Sequence, residues 1–188
     1  ENDLLHLVTS TFVGTDPIHL NDIEPVLEDS KYWKKGDVFL SLRGISTLML
    51  FRPSENKLIW HKQGNWRHQH DIDIINESTI GIFNNNRDMN NSPSDKGSEI
   101  LYINFETGET TKEYEKFFTD NKINSPTQSL FSILNNNDIF VEDQNNGMIY
   151  RASDNGDIRW KFKWNALINW SRYIDEDKGA IIISNINK

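Results

Sequence analysis

The sequence predicts an all-β chain, and three observations carry that prediction. Apolar runs of strand length follow one another along most of the 188 residues, separated by turns rich in Asn, Asp and Gly. One segment alone, KEYEKFF (Lys112–Phe118), has the spacing of a helix. Three hairpins resemble one another: LMLFRPSENKLIW (Leu48–Trp60), ILYINFETGETTKEY (Ile100–Tyr114) and MIYRASDNGDIRWKF (Met148–Phe162), with turns centred on Asn56, Gly108 and Gly156, about 50 residues apart. A unit of that length holding several strands is the pattern of a propeller blade.

The strands justify themselves in order. GDVFLSL (Gly36–Leu42), TLMLF (Thr47–Phe51), DIDII (Asp71–Ile75), TIGIF (Thr79–Phe83), EILYINF (Glu99–Phe105), DIFVED (Asp138–Asp143), GMIYRAS (Gly147–Ser153) and AIIIS (Ala180–Ser184) are rich in β-branched and aromatic residues and bounded by turn formers. The run Asp175–Asp177 reads as a turn, and NNNRDMNNSPSDKGS (Asn84–Ser98) as a long surface loop. Trp60 and Trp160 end equivalent hairpins, so the tryptophans, Trp164 and Trp170 included, read as packing between sheets rather than as a stacking platform for sugars. The whole chain, residues 1–188, reads as one partial propeller domain of roughly three blades and a remnant. A closed propeller needs at least about four blades, so the earlier blades are expected outside this sequence. A plain β-sandwich is the alternative.

Composition narrows the function. With 36% hydrophobic and 11% aromatic residues the chain can bury a core, and a net charge of −8 argues against nonspecific binding to nucleic acid or an anionic membrane. The absence of cysteine removes disulfides, thiolate metal sites and cysteine nucleophiles. No apolar run reaches the roughly 18 residues of a membrane span, and no glycine loop for phosphate and no G-x-S-x-G motif occurs.

Polar constellations fall at the strand ends: DPIHLND (Asp16–Asp22), SLRG (Ser41–Gly44), QHD (Gln69–Asp71) and FNNNR (Phe83–Arg87). In this order they resemble the arylsulfotransferases, six-bladed propellers that carry H-x-N, then S-x-R with a hairpin ending in Trp, then Q-H-D, then F-D-N-G. The matching residues are His19 with Asn21, Ser41 with Arg43, Trp60, Gln69–His70–Asp71, and Phe83 with Asn85. The resemblance covers Asp16–Arg87 well and the later hairpins loosely.

That family implies transfer of a sulfuryl group from a phenolic sulfate ester to a phenol, with no cofactor or nucleotide sulfate donor, in a central funnel. It also implies a periplasmic or extracellular place in a bacterial envelope. Carried over, His19 and His70 become site histidines and Arg87 the sulfate-binding arginine, with Arg43 a second anion contact and Asn21, Gln69 and Asn85 lining or orienting the site. The expected partners are an aryl sulfate or other small anion and the rest of the propeller.

Two departures stand against this. F-D-N-G appears as FNNN, and the family's sulfuryl-accepting histidine lies downstream of Q-H-D, where this chain has no histidine at all; Gln128 is the nearest polar residue. Two functions therefore remain: a sulfuryl transferase working through His70 and His19, or a silent propeller that binds a sulfated, phosphorylated or carboxylated ligand. A metal held by His19, His68 and His70 is the weaker reading, because H-x-H is common by chance. His6 and His61 read as solvent-facing.

Overall fold

The structure is a computed structural model that describes residues 16–87 and 95–186. His6 and the middle of the Asn84–Ser98 loop lie outside the described residues. Among the described residues twelve strands form three four-stranded antiparallel sheets, each a meander in which every strand pairs with the next in sequence. The first sheet holds β1 (Leu20–Pro25), β2 (Val38–Leu42), β3 (Thr47–Arg52) and β4 (Lys57–Gln63). The second holds β5 (His70–Asn76), β6 (Thr79–Asn84), β7 (Glu99–Asn104) and β8 (Thr110–Glu113), and the third holds β9 (Leu130–Ile133), β10 (Ile139–Asp143), β11 (Met148–Ala152) and β12 (Ile158–Lys163). The three similar hairpins join the third and fourth strands of the three sheets. First strands adjoin one another, β1 against β5 and β5 against β9. These are the blades of a β-propeller with the first strands innermost, not a sandwich.

The core lies between blades, because each sheet is apolar on both faces. Phe39, Leu48 and Leu50 of the first blade meet Ile72, Ile80, Ile82, Leu101 and Ile103 of the second. Phe83 and Ile100, on the opposite face of the second blade, meet Phe131, Ile139, Val141 and Tyr150 of the third. β6 is buried at all six positions since it is covered on both sides. Gly81 within it leaves room for Phe131, whose ring tip would stand 2.7 Å from an added Cβ. Trp60 stacks near Phe105 (4.6 Å between ring centroids) in a cluster with Trp33 and Phe39, as its hairpin position implies.

Three expectations need correction. Ala180–Ser184 is not a strand but part of α2 (Glu176–Ile186), where Asp175 caps the helix by accepting the Lys178 N–H at 2.9 Å. A helix satisfies its own backbone groups where a lone strand cannot. Lys112–Phe118 divides into β8 and α1 (Glu115–Asp120), because Tyr114 at φ +54° breaks the backbone between them. Trp160, Trp164 and Trp170 are 39%, 56% and 65% exposed, since among the described residues no further sheet lies against β12 and the segment after it.

Gly147 and Gly108 both adopt left-handed backbone, at φ +61° and +75°, but in different surroundings. A Cβ on Gly147 would stand 2.4 Å from the carbonyl oxygens of Trp164 and Ala166, whereas Gly108 has open space. Gly108→Ala should lower stability by about 1 kcal/mol from backbone strain alone. Gly147→Ala should cost clearly more, because the chain returning from β12 must move as well; urea unfolding of the two variants compares them.

Candidate functional site

Three polar pairs mark the end of the propeller where the inner strands begin. Each joins a residue opening a first strand to a residue ending the second. In the first blade His19, at φ +48° just before β1, meets Arg43, which follows β2: Arg43 Nη1 lies 3.0 Å from His19 Nε2. In the second, His70 Nδ1 lies 2.7 Å from Asn85 Oδ1. In the third, Gln144 Nε2 donates to Gln128 Oε1. Gln128 thus occupies in the third blade the place that His19 and His70 hold in the first two.

Hydrogen-bond arithmetic fixes the ring protons. Asn85 spends its Nδ2 on the carbonyls of Ser125 (3.0 Å) and Gln128 (2.9 Å), so its Oδ1 faces His70. His70 Nδ1 is also 3.0 Å from the His68 carbonyl. Both neighbours only accept, so Nδ1 carries the proton. Nε2 is left as a lone pair, and the Gln128 N–H points to it at 3.3 Å. Burial pushes the His70 pKa from 6.5 down to about 4, the nearby Arg43 adding to the effect and the Asn85 bond opposing it. His70 is therefore a neutral imidazole with Nε2 as its basic atom.

His19 has the same arrangement, with an acceptor at Nδ1 and a donor at Nε2. Asp16 pairs with its Nδ1 at 2.7 Å and accepts its backbone N–H at 3.0 Å. Arginine can only donate, so His19 Nε2 accepts from Arg43, as does His68 Nδ1 at 3.2 Å. Arg43 is a half-buried cation whose guanidinium rests on two imidazoles and, among the described residues, on no carboxylate. Burial lowers its pKa, Asp16 opposes that from a distance, and the charge of Arg87 adds to it. Arg87 is itself buried and donates Nε to the Pro126 carbonyl at 2.9 Å.

A cavity of about 290 Å³ opens beside these groups. His19, Asn21 and His70 line it, with Gln128, Gln144, Glu142 and Trp170. Arg43, Gln69, Asn85 and Arg87 stand outside its lining. Asn85 acts through His70. Gln69 is fully buried, its amide 3.4 Å from the Thr47 carbonyl and its own carbonyl accepting from Asn21 Nδ2 at 2.7 Å. Arg67 is exposed and borders a different depression with Trp66, Asn86 and Lys96. His61 is exposed on β4, as expected. Among the described residues no group of three His, Asp or Glu could hold a metal ion.

The axis below this mouth carries what the sequence reading passed over. Asp22 and Glu24 on β1, and Asp71 and Asp73 on β5, line a second cavity together with Arg172. Their signal was present as D-I-E and D-I-D, acids two apart and therefore on one face of a strand. Burial raises all four pKa values and their mutual repulsion raises Glu24, Asp71 and Asp73 further; Glu24 and Asp73 reach about 7.

The profile of the family described as Arylsulfotransferase (ASST) matches residues 2–165. The chain belongs to the arylsulfotransferase family. No curated protein sequence matches it. Among solved structures it is similar to the WD40 β-propeller domain of Doa1, at 15% identity and a TM-score of 0.50, over 79% of this chain and 42% of that one. This chain therefore spans less than half of that propeller. In this arylsulfotransferase-like propeller, the two histidines brought to one cavity are those of the H-x-N and Q-H-D motifs.

Two outcomes follow. NMR titration should place His70 near pH 4, and its share of stability should fall as the pH drops from 6.5 through about 4, where the unfolded chain takes a proton that the folded one refuses. Asp73 has the opposite sign: its folded pKa is raised, so stability falls as the pH climbs from 3.8 through about 7. Asp73→Asn should stabilise the protein at pH 8, and thermal melts should show the gain vanishing below about pH 4.

Proposed function

We propose that the protein transfers a sulfuryl group from an aryl sulfate ester to a phenol, with His70 as the nucleophile. The observation that supports this reading is the neutral His70 ring, held by two acceptors at Nδ1, so that Nε2 carries the lone pair and has only the 3.3 Å contact from the Gln128 N–H to give up when it attacks. The Nε2 lone pair forms a bond to sulfur while the S–O bond to the aryl group breaks and the aryl oxide leaves as an anion. Nδ1 keeps its proton throughout, and the sulfo-imidazolium is a good leaving group for the second step. The accepting phenol then attacks sulfur, the N–S bond breaks, and the phenolic proton passes to His19 Nε2 and on to water. For this, Arg43 turns from His19 toward the sulfate oxygens, two of which a guanidinium can hold at once. Arg87 adds positive charge at the same end, and Asn21 contributes a lining amide.

Gln128 favours a second reading. An amide cannot form the sulfo-intermediate, so a propeller with Gln128 in the third position would bind a sulfated, phosphorylated or carboxylated ligand without turning it over. In both readings further blades complete the ring around the cavity, and the envelope of a bacterium is the compartment.

Intact mass spectrometry after brief exposure to excess 4-nitrophenyl sulfate separates the two. A gain of one sulfuryl group, discharged by added phenol and absent in His70→Ala, is the expected result. Neither adduct nor nitrophenol release would leave the anion-binding reading in its place.

A further inference from the structure

The chain leaving the third blade returns to the axis and repeats there a pattern of the second. On β5, His70 is followed by Asp71 in left-handed backbone, at φ +49°, and then by Ile72, whose N–H the Asp22 carboxylate holds at 2.7 Å. After β12, Asn169 is followed by Trp170 at φ +60° and then by Ser171, whose N–H the Glu142 carboxylate holds at 2.6 Å. Left-handed backbone is uncommon for any residue but glycine, so its return one step before a carboxylate-held amide is a specific match. The third blade enters with one residue more: Gln128 stands three before Phe131, whose N–H Asp71 holds at 2.6 Å.

Side chains on either side of the held amides keep the same register. Asp73, Ser132 and Arg172, which follow those amides, all line the axial cavity. His70, Gln128 and Asn169, which precede them, all line the 290 Å³ cavity at the mouth, together with His19. Residues 169–172 therefore enter the axis as the opening of an inner strand does. Asn169, an exposed residue, takes the fourth place in the series His19, His70, Gln128. Its anchor is Glu142 of β10, so this placement rests on bonds to a blade already present.

A primary amide carries two N–H donors and no charge. At the mouth it can donate to a sulfate oxygen, a charge-assisted bond, without adding to the positive charge of Arg43 and Arg87. We infer that Asn169 is a substrate-binding residue of this cavity, its Nδ2 donating to an oxygen of the bound sulfate. The inference rests on the proposed function, in which an aryl sulfate enters here.

The test is calorimetric titration of the full-length protein with phenyl sulfate and, separately, with phenol, two ligands that share a ring and differ in the sulfo group. Asn169→Asp keeps the size of the side chain and replaces the donor by a repelling carboxylate. It should weaken phenyl sulfate by about tenfold or more, the worth of a hydrogen bond to a charged group, and leave phenol binding unchanged. Asn165→Asp makes the same change on an exposed residue of the same segment that lines a different depression, and should leave both ligands as in the wild type. Phenyl sulfate binding untouched by Asn169→Asp, or an equal loss of both ligands, overturns the inference and leaves the proposed function standing. A wild-type protein that binds no phenyl sulfate overturns both. Selective loss of phenyl sulfate, with no nitrophenol released from 4-nitrophenyl sulfate by the wild type, keeps Asn169 as an anion contact and removes the transferase.

Discussion

Neighbouring blades are tied together at the axis by carboxylates that accept backbone N–H groups from the next segment. Asp22 of β1 holds the Ile72 N–H of β5, Asp71 of β5 holds the Phe131 N–H of β9, and Glu142 of β10 holds the Ser171 N–H beyond β12. First strands of adjacent blades do not share a ladder, so their inward amides need another acceptor. A charged one makes a short, strong bond. The apolar faces of Phe39, Leu50, Ile80, Ile82, Phe131 and Val141 give the blades their attraction, but they set no register. The carboxylate bonds do, and they fix where each inner strand begins.

The site follows from that register. With β1, β5 and β9 staggered in this way, His19, His70 and Gln128 come to one end and their partners Arg43, Asn85 and Gln144 to the same end. Charge then separates along the axis: arginines and imidazoles at the mouth, Asp22, Glu24, Asp71 and Asp73 below. Concentrating carboxylates in a poorly solvated channel raises their pKa values, while burial next to cations lowers that of His70. One constraint, the crowding of polar inner strands around an axis, shifts acids up and the base down.

Gln128 is the informative departure. Its backbone N–H meets His70 Nε2, its side chain accepts from Gln144, and its carbonyl accepts from Asn85. It is integrated into the same network as the histidines and is not a loop residue that happens to fall nearby. His70 and His19 are the two histidines in the cavity's lining.

The sequence by itself determined the all-β class, the blade hairpins at Asn56, Gly108 and Gly156, and the histidines at the cavity, because strand periodicity, turn residues and short motifs are local. It also held the acids of D-I-E and D-I-D in plain view, without saying which face of the strand met the axis. Only the tertiary structure decided the tautomer of His70, the place of Gln128 and the burial of Glu142 against the Ser171 N–H. Each depends on contacts distant in sequence: Asn85, which faces His70, is oriented by carbonyls 40 and 43 residues on, Gln128 meets His70 across 58 residues, and Glu142 meets Ser171 across 29. The same holds at the C-terminal end, where Ala180–Ser184 has the composition of a strand and becomes a helix. A strand needs an edge to pair with, and whether an edge is present is a property of the assembled blades.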